Sequence, residues 1–314
     1  MTSYLVTGGA GFIGSNIVHA LLERGGQVRI YDNLSTGHSK NLAVLQDKVE
    51  IVEADLRDPH TLRQAVQGID VIFHEGALPS VARSVEDPLA SHETNVTATI
   101  HLLEFCREEG VGRLVFASSS SVYGDTPTLP KVETMPTSPL SPYAVSKLAA
   151  EQYCKVYAQL YGIQTVSLRY FNVFGPRQDP QSDYAAVIPK FISLMLRGES
   201  PLIHGDGLQS RDFTYIDNVV SANLLAAEAP DAAGEVLNIA CGQSYSLLDL
   251  VAALNAILGT SIEPRFGPPR PGDVKHSLAD SSRAVEKIGY SVSVDFRAGL
   301  AKTVEWFRAH PERS

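Results

Sequence analysis

The stretch YLVTGGAGFIGSNIV, residues 4–18, joins an apolar β-type run to a helical pattern through glycines at 8, 9, 11 and 14. Gly9, Gly11 and Gly14 satisfy GxGxxG. Such glycines allow a tight turn, a backbone close enough to touch a pyrophosphate, and a helix N-terminus whose free N–H groups and dipole favour the anion. Alone the pattern is weak, because glycine turns between strands and helices are common. Its surroundings strengthen it. The next β-type run, QVRIY (27–31), leads into Asp32, close to the spacing of a carboxylate that hydrogen-bonds an adenosine ribose. A carboxylate there repels a 2′-phosphate, so NAD is expected over NADP; the competing reading makes Asp32 a turn residue. Asp55, in EADLRD (53–58), serves equally well as an adenine-edge contact or as a turn or cap residue.

Outward from this turn, short β-rich runs alternate with helical stretches. YLVT (4–7), QVRIY (27–31), VEIVEA (49–54), VIFH (71–74), RLVFAS (113–118) and TVSLRY (165–170) read as strands. GSNIVHALLERG, DPHTLRQAV, ASHETNVTATIHLLEFCREEG and SPYAVSKLAAEQYCKVYAQLYG lie between them and read as helices. This alternation predicts βαβ units: an α/β, Rossmann-type doubly wound parallel sheet with helices on both faces. Beyond about residue 171 the regularity weakens, and Pro and Gly gather in FGPRQDP and FGPPRPGD. The expected division is a nucleotide-binding domain over 1–171 and a smaller C-terminal lobe mainly over 172–314, with ligand between them.

At 314 residues the chain can bury a sizeable core. Its 44% hydrophobic and 19% charged residues, with 24 Gly and 18 Pro spread along the sequence, exclude a disordered or fibrous class. No stretch reaches the roughly 18 apolar residues of a membrane span, and MTSYLVTGG has no basic segment ahead of a long apolar one, so a cytosolic protein is expected. The net charge of −9 argues against a nucleic-acid surface while allowing a local basic pocket. Cys106, Cys154 and Cys241 form no CxxC and suit reduced thiols better than disulfides or zinc, so no metal is expected.

SPYAVSK holds Tyr143 and Lys147 four apart, on one face of a helix. A phenol titrates near 10, and a neighbouring ammonium favours the phenolate; lowering it by about 3 units takes roughly 4 kcal/mol. Tyr and Lys at this spacing are usually a surface pair. SSSSVYG (118–124) follows a strand, where α/β sheets present groups to a ligand, and supplies hydroxyls that can bond a reacting oxygen.

Together TGGAGFIG, YDN, ASSSSVYG, YAVSK, RYFNVFGP and GDGLQSRDF resemble the extended short-chain dehydrogenase/reductases, specifically the UDP-hexose 4-epimerases, over nearly the whole chain. The resemblance implies Ser119, Tyr143 and Lys147 as catalytic residues, with Ser118 and Ser120 as flanking contacts. It implies NAD held by Gly8, Gly11, Phe12, Ile13, Gly14, Asp32, Asn33, Ser35, Gly37, Asp55, Leu56, Gly76, Ala77, Asn95, Tyr143, Lys147 and Tyr170. For the UDP-sugar it implies Ser119, Ser120, Tyr143, Asn172, Val187, Ile188, Arg211, Arg270, Asp273 and Ser277, the arginines on phosphate. It also implies that parts of 213–240 return to the first domain, and a homodimer joined by the helices after SVEDP and from SPYAVSK. FHEGA (73–77) departs from the family, which usually has an apolar residue and Ala where this chain has Glu75 and Gly76.

The implied reaction removes hydride from C4 and the O4 proton by way of Tyr143, lets the 4-keto sugar swing about its phosphate linkage, and returns hydride to the other face. Related dehydratases and decarboxylases normally carry an acid beside the catalytic hydroxyl; Ser120, Ser121 and Val122 follow Ser119 here. Strict UDP-glucose/galactose epimerases resemble one another in a tyrosine seven residues after the arginine matched by Arg270; Ser277 is small, so UDP-GlcNAc/UDP-GalNAc is expected, with UDP-Glc/UDP-Gal as a further pair. Asp179 stands where uronate epimerases typically carry a second basic residue. A non-catalytic NAD-binding scaffold is the alternative of a different class.

Overall fold

Alternation along the first strand shows how the sheet acquires two buried faces. In β1 (Ser3–Thr7) Leu5 enters one apolar cluster and Val6 the other, as the two-residue strand period requires. In the computed structural model, which describes residues 1–43, 45–181, 186–269 and 275–313, six further strands extend this pattern. They are β2 (Gln27–Asp32), β3 (Glu50–Glu53), β4 (Val71–His74), β5 (Arg113–Ser119), β6 (Gln164–Tyr170) and β7 (Glu235–Ile239). All neighbours pair in parallel, in the order β3-β2-β1-β4-β5-β6-β7. The order reverses between β1 and β4, the switch point where such sheets open a crevice.

The crossover helices cover both faces. Ile17, Val18 and Leu21 of α1 (Phe12–Glu23) share a cluster with Val6, Ile30, Val115 and Leu168. On the other face, Leu62 and Val66 of α2 (Pro59–Val66), Leu102 and Leu103 of α3 (Ala98–Glu109), and Ala150, Cys154 and Tyr157 of α4 (Pro142–Tyr161) meet Leu5, Ile72, Leu114 and Phe116. Cys106 and Cys154 are buried free thiols. The phase of α4 matters most, since it carries Tyr143 and Lys147. Ser141 fixes its start by accepting the Ala144 N–H at 3.2 Å, Pro142 occupies the first turn, and Gly162 ends it at φ +72°; such a cap contributes about 1 kcal/mol.

Two elements differ from the sequence expectation. EVLNI forms β7 beside β6; it follows a long excursion and lacks an adjoining strand–helix repeat in sequence. The helix expected over 90–110 is divided into Pro88–His92, a π-helical turn at Glu93–Thr97, and α3. The wide turn accompanies Asn95, whose side chain accepts the Leu78 N–H at 2.8 Å and donates to Ser146 Oγ at 3.0 Å, tying the loop after β4 to α4.

Between β6 and β7 the chain forms α5 (Val187–Leu196) and α6 (Ile216–Glu228), and α7 (Leu247–Leu258) and α8 (Phe296–Ala309) follow. Phe213 stacks on Phe296 at 5.5 Å, and Phe174 meets Phe213, Tyr215 and Phe296 at 5.6 to 6.3 Å. These rings belong to the same apolar cluster as the α1 face of the sheet, so the two parts of the chain share a core. Among the described residues, no helix is long and apolar enough to cross a membrane.

Candidate active site

The glycine turn after β1 leaves no room for side chains. Gly8 adopts φ +68° and donates its N–H to Tyr31 O at 2.8 Å. A Cβ on Gly8 would stand 2.7 Å from Gly76 N, one on Gly14 2.2 Å from Gly8 O, and one on Gly37 2.8 Å from the Ala10 carbonyl carbon. Three backbone segments thus meet at glycine thickness beside α1, whose N-cap Gly11 leaves the first-turn N–H groups of Phe12 and Ile13 without a side-chain cap. That is a cradle for a pyrophosphate. Gly9 packs against Ile30 instead.

Asp32 acts as the turn residue that its position suggested and keeps acceptor capacity besides. Oδ2 accepts the Ala10 N–H at 2.9 Å and Oδ1 the Leu34 N–H at 2.8 Å, so it ties the turn to the following loop; about two of a carboxylate's four acceptor positions remain for a ribose. Burial raises its carboxyl above the usual range. Asn33 accepts the Ser35 N–H at 3.1 Å and donates to Asp55 at 2.9 Å. Arg57 grips the same Asp55 through two 2.9 Å bonds and holds its carboxyl well below the usual range. Leu56 backs Gly76, whose Cβ would fall 2.7 Å from Leu56 Cδ1, and Ala77 follows, half-buried. These residues fit a dinucleotide.

At the other end of the crevice, Ser119 Oγ accepts both the N–H of Ser121 at 3.2 Å and its hydroxyl at 2.9 Å. The Tyr143 phenol lies near enough to Ser119 for that side chain to favour its ionised form. With two bonds accepted, the Ser119 hydroxyl is set to donate. Tyr143 is anchored by its N–H on Ser84 Oγ at 3.0 Å; burial raises its phenol, while Ser119 acts against that rise. One turn on, Lys147 is 4% exposed, donates to Ala117 O at 2.8 Å and lies 5.0 Å from the Phe116 ring centroid. Burial lowers its ammonium to about 8, with the Glu75 charge acting against it.

Ser118 departs from its expected place. Its buried hydroxyl donates to Glu151 of α4 at 2.7 Å, since successive strand residues face opposite ways. Ser120 starts a single turn, Ser120–Tyr123, and is half-buried. Behind the site, His74 is neutral: Thr99 spends its proton on Asn95 O, so His74 Nε2–H donates to Thr99 Oγ1 at 2.9 Å and Nδ1 accepts from Thr7 at 2.7 Å. Burial lowers this ring to about 3.

Glu75, the departure in FHEGA, lies at this end too. The hydroxyl of Tyr170 donates to Glu75 Oε1 at 2.8 Å and accepts from Asn223 Nδ2 at 2.8 Å. Burial pushes the Glu75 carboxyl up to about 7, with the Tyr170 bond and the Lys147 charge pulling it back.

A cavity of about 310 Å³ opens beside this end, lined by Asn172, Val187, Ile188 and Arg211 from the sequence reading. Asn172 adopts φ +35°, a conformation asparagine tolerates better than most residues. Its Nδ2 reaches Asp212 O at 3.2 Å and Ser277 Oγ at 3.3 Å. Arg211 donates to Ser210 O at 2.9 Å and Lys275 O at 3.2 Å. Arg270 and Asp273 lie outside the described residues. Lys190, His204, Gln209 and Phe213 also line the cavity and were missed; Gln209 was findable, standing two residues before Arg211 and so on the same side of an extended chain.

The model of the NAD dependent epimerase/dehydratase family matches residues 4–240. The chain belongs to that family. It is 41% identical over 306 residues to a putative UDP-glucose 4-epimerase of Methanocaldococcus jannaschii, covering 97% of this chain and 98% of that one. It is 42% identical over 308 residues to a UDP-glucose 4-epimerase of Mycolicibacterium smegmatis, with the same coverage. Among solved structures, a UDP-N-acetylglucosamine 4-epimerase from Methanobrevibacter ruminantium, in complex with UDP-N-acetylmuramic acid, superimposes with a TM-score of 0.94 at 44% identity, covering 98% of each chain. As a member of this family the protein uses NAD, and the glycine cradle with Asp32 is the part of the chain that fits it.

Proposed function

We propose that this family member interconverts UDP-N-acetylglucosamine and UDP-N-acetylgalactosamine by epimerisation at C4, with UDP-glucose and UDP-galactose as a second pair. The observation that carries C4 chemistry is Ser119 at the end of β5 beside Tyr143, one helical turn from the buried Lys147. Tyr143 takes the O4 proton and later returns it, Ser119 bridges the sugar oxygen to the phenol, and the Lys147 ammonium steadies the phenolate. Bound NAD supplies the acceptor, and on return the donor, of the C4 hydride. Asn172, Arg211, Val187 and Ile188 grip the nucleotide diphosphate while the sugar turns, with Arg270 and Asp273 assigned to the same task.

The small Ser277 beside Asn172 supports the N-acetylated substrates, because a tyrosine there would fill the space that an acetamido group needs. Asp179 pairs with His38 at 3.2 Å and supplies no cation for a uronate. We assign residues 1–171, with α6 and β7, to the NAD-binding part and most of the remainder to the substrate lobe. A homodimer through α4 is part of the same reading. Val145, Tyr153, Val156 and Leu160 are 41 to 70% exposed and at 100° per residue fall on one stripe, turned by roughly 100° from the face that holds Ala150, Cys154 and Tyr157 on the sheet.

The test is turnover of UDP-Glc, UDP-Gal, UDP-GlcNAc, UDP-GalNAc and UDP-GlcA side by side, read by chromatography. Interconversion of the N-acetylated pair is expected. Turnover confined to the glucose pair, to UDP-GlcA, or absent altogether would overturn the substrate assignment.

A further inference from the structure

Glu75, with Gly76 beside it, departs from the family pattern in the nucleotide-side motif, and the sheet brings it to the reacting end. It follows His74, whose register partner in β5 is Phe116. The Lys147 ammonium lies over that Phe116 ring and on the next carbonyl, Ala117 O. Tyr170, which holds Glu75 Oε1, is the β6 partner of Ser119. One carboxylate is therefore joined by a hydrogen bond to the strand position opposite the catalytic hydroxyl, and stands beside the lysine of the same site. The groups facing it are Lys147 and Tyr143 from α4, Tyr170 from β6, the uncharged Asn223 from α6, and His74, which is neutral with both ring nitrogens occupied.

We propose that Glu75 is a positioning residue whose negative charge sustains the Lys147 ammonium and opposes ionisation of Tyr143, so that Tyr143 both accepts the sugar proton and gives it back. This rests on the reading of Tyr143 as the base. An epimerase uses its base twice, in opposite directions. A phenol made too acidic by an uncompensated ammonium would hold its proton too weakly to return it well, since transfer in both directions is best served by a matched acidity. Glu75 supplies the compensation. Its hydrogen bond from Tyr170 and the charge of Lys147 favour the ionised carboxylate against burial, and the carboxylate in turn raises Tyr143 and Lys147.

The experiment reads Tyr143 directly in the NAD-loaded protein: the 295 nm tyrosinate absorbance removed by Tyr143→Phe, followed against pH, with and without Glu75→Gln. Glu75→Gln keeps an acceptor for the Tyr170 hydroxyl and removes only the charge. The Tyr143 midpoint is expected to fall by about one pH unit, the scale of one nearby charge in a partly buried site, and the acidic limb of kcat to move down with it. Glu75→Leu, which restores an apolar residue, should move the midpoint the same way and covers a Glu75→Gln variant that fails to fold. An unchanged midpoint in a folded variant overturns the inference, since a purely structural role leaves it in place. A shifted midpoint in a protein that turns over none of the UDP-hexoses would instead retain the inference and reject the proposed function.

Discussion

Truncating Glu151 to alanine should loosen the helix that carries Tyr143 and Lys147. Glu151 is fully buried and Arg169 is 3% exposed. They are joined by bonds of 2.6 Å and 2.9 Å, with the Ser118 hydroxyl on the same carboxylate at 2.7 Å. Glu151 thereby ties α4 to β5 and β6 together. Removing it leaves a guanidinium buried beside the Tyr123 ring without its hydrogen-bonded counter-charge, a change that costs about 3–5 kcal/mol. Unfolding entropy of about 2.1 cal/mol/K per residue turns this into a fall of about 5–8 °C in the melting midpoint for a chain of 314 residues. Calorimetry at fixed pH and saturating NAD, for every variant alike, measures it. The double variant Glu151→Leu with Arg169→Met should recover most of the loss, because an apolar pair of similar volume replaces the ions. Because Tyr143 lies two turns from Glu151 on α4, kcat should fall in Glu151→Ala more than KM rises. A midpoint within about 1 °C of the parent would refute the reasoning, since an uncompensated buried charge cannot cost so little.

Three other outcomes are expected. Ser277→Tyr should abolish turnover of UDP-GalNAc while sparing UDP-Gal; unchanged GalNAc turnover would contradict the role given to this side chain. Gly14→Ala places a methyl 2.2 Å from Gly8 O, so the turn must shift, and NAD affinity by calorimetric titration should drop at least about tenfold; wild-type affinity would show that the turn does not hold the cofactor. Val156→Glu puts a charge on the exposed stripe of α4, and mass photometry of both proteins should show the proposed dimer for the parent and monomers for the variant; a dimer of unchanged stability would place the interface elsewhere.

The fold was legible where the pattern is local. All six strands read from sequence match their structural counterparts to within one residue at either end, because short apolar runs punctuated by glycine report a buried parallel sheet directly. β7 escaped because its helix and its neighbouring strand are separated from it by the chain that builds the small lobe. The π-helical turn at Glu93–Thr97 escaped because nothing in its composition marks a turn one residue wider than its neighbours. For Ser118, strand alternation already placed its hydroxyl on the side away from Ser119, and the partner Glu151 stands on the same helix face as Tyr143 and Lys147.

The sequence by itself determined the glycine cradle, the strand that ends in Asp32, and the identity and spacing of Ser119, Tyr143 and Lys147, because each depends on neighbours a few residues away. Tertiary structure alone decided what those groups feel. Glu75 and Tyr170 are 95 positions apart and meet at 2.8 Å; Asn172 and Ser277 are 105 apart and meet at 3.3 Å. Sheet order and register set these meetings. Charge and acidity follow from burial and from what lies across the sheet, neither of which is written in the spacing of residues along the chain.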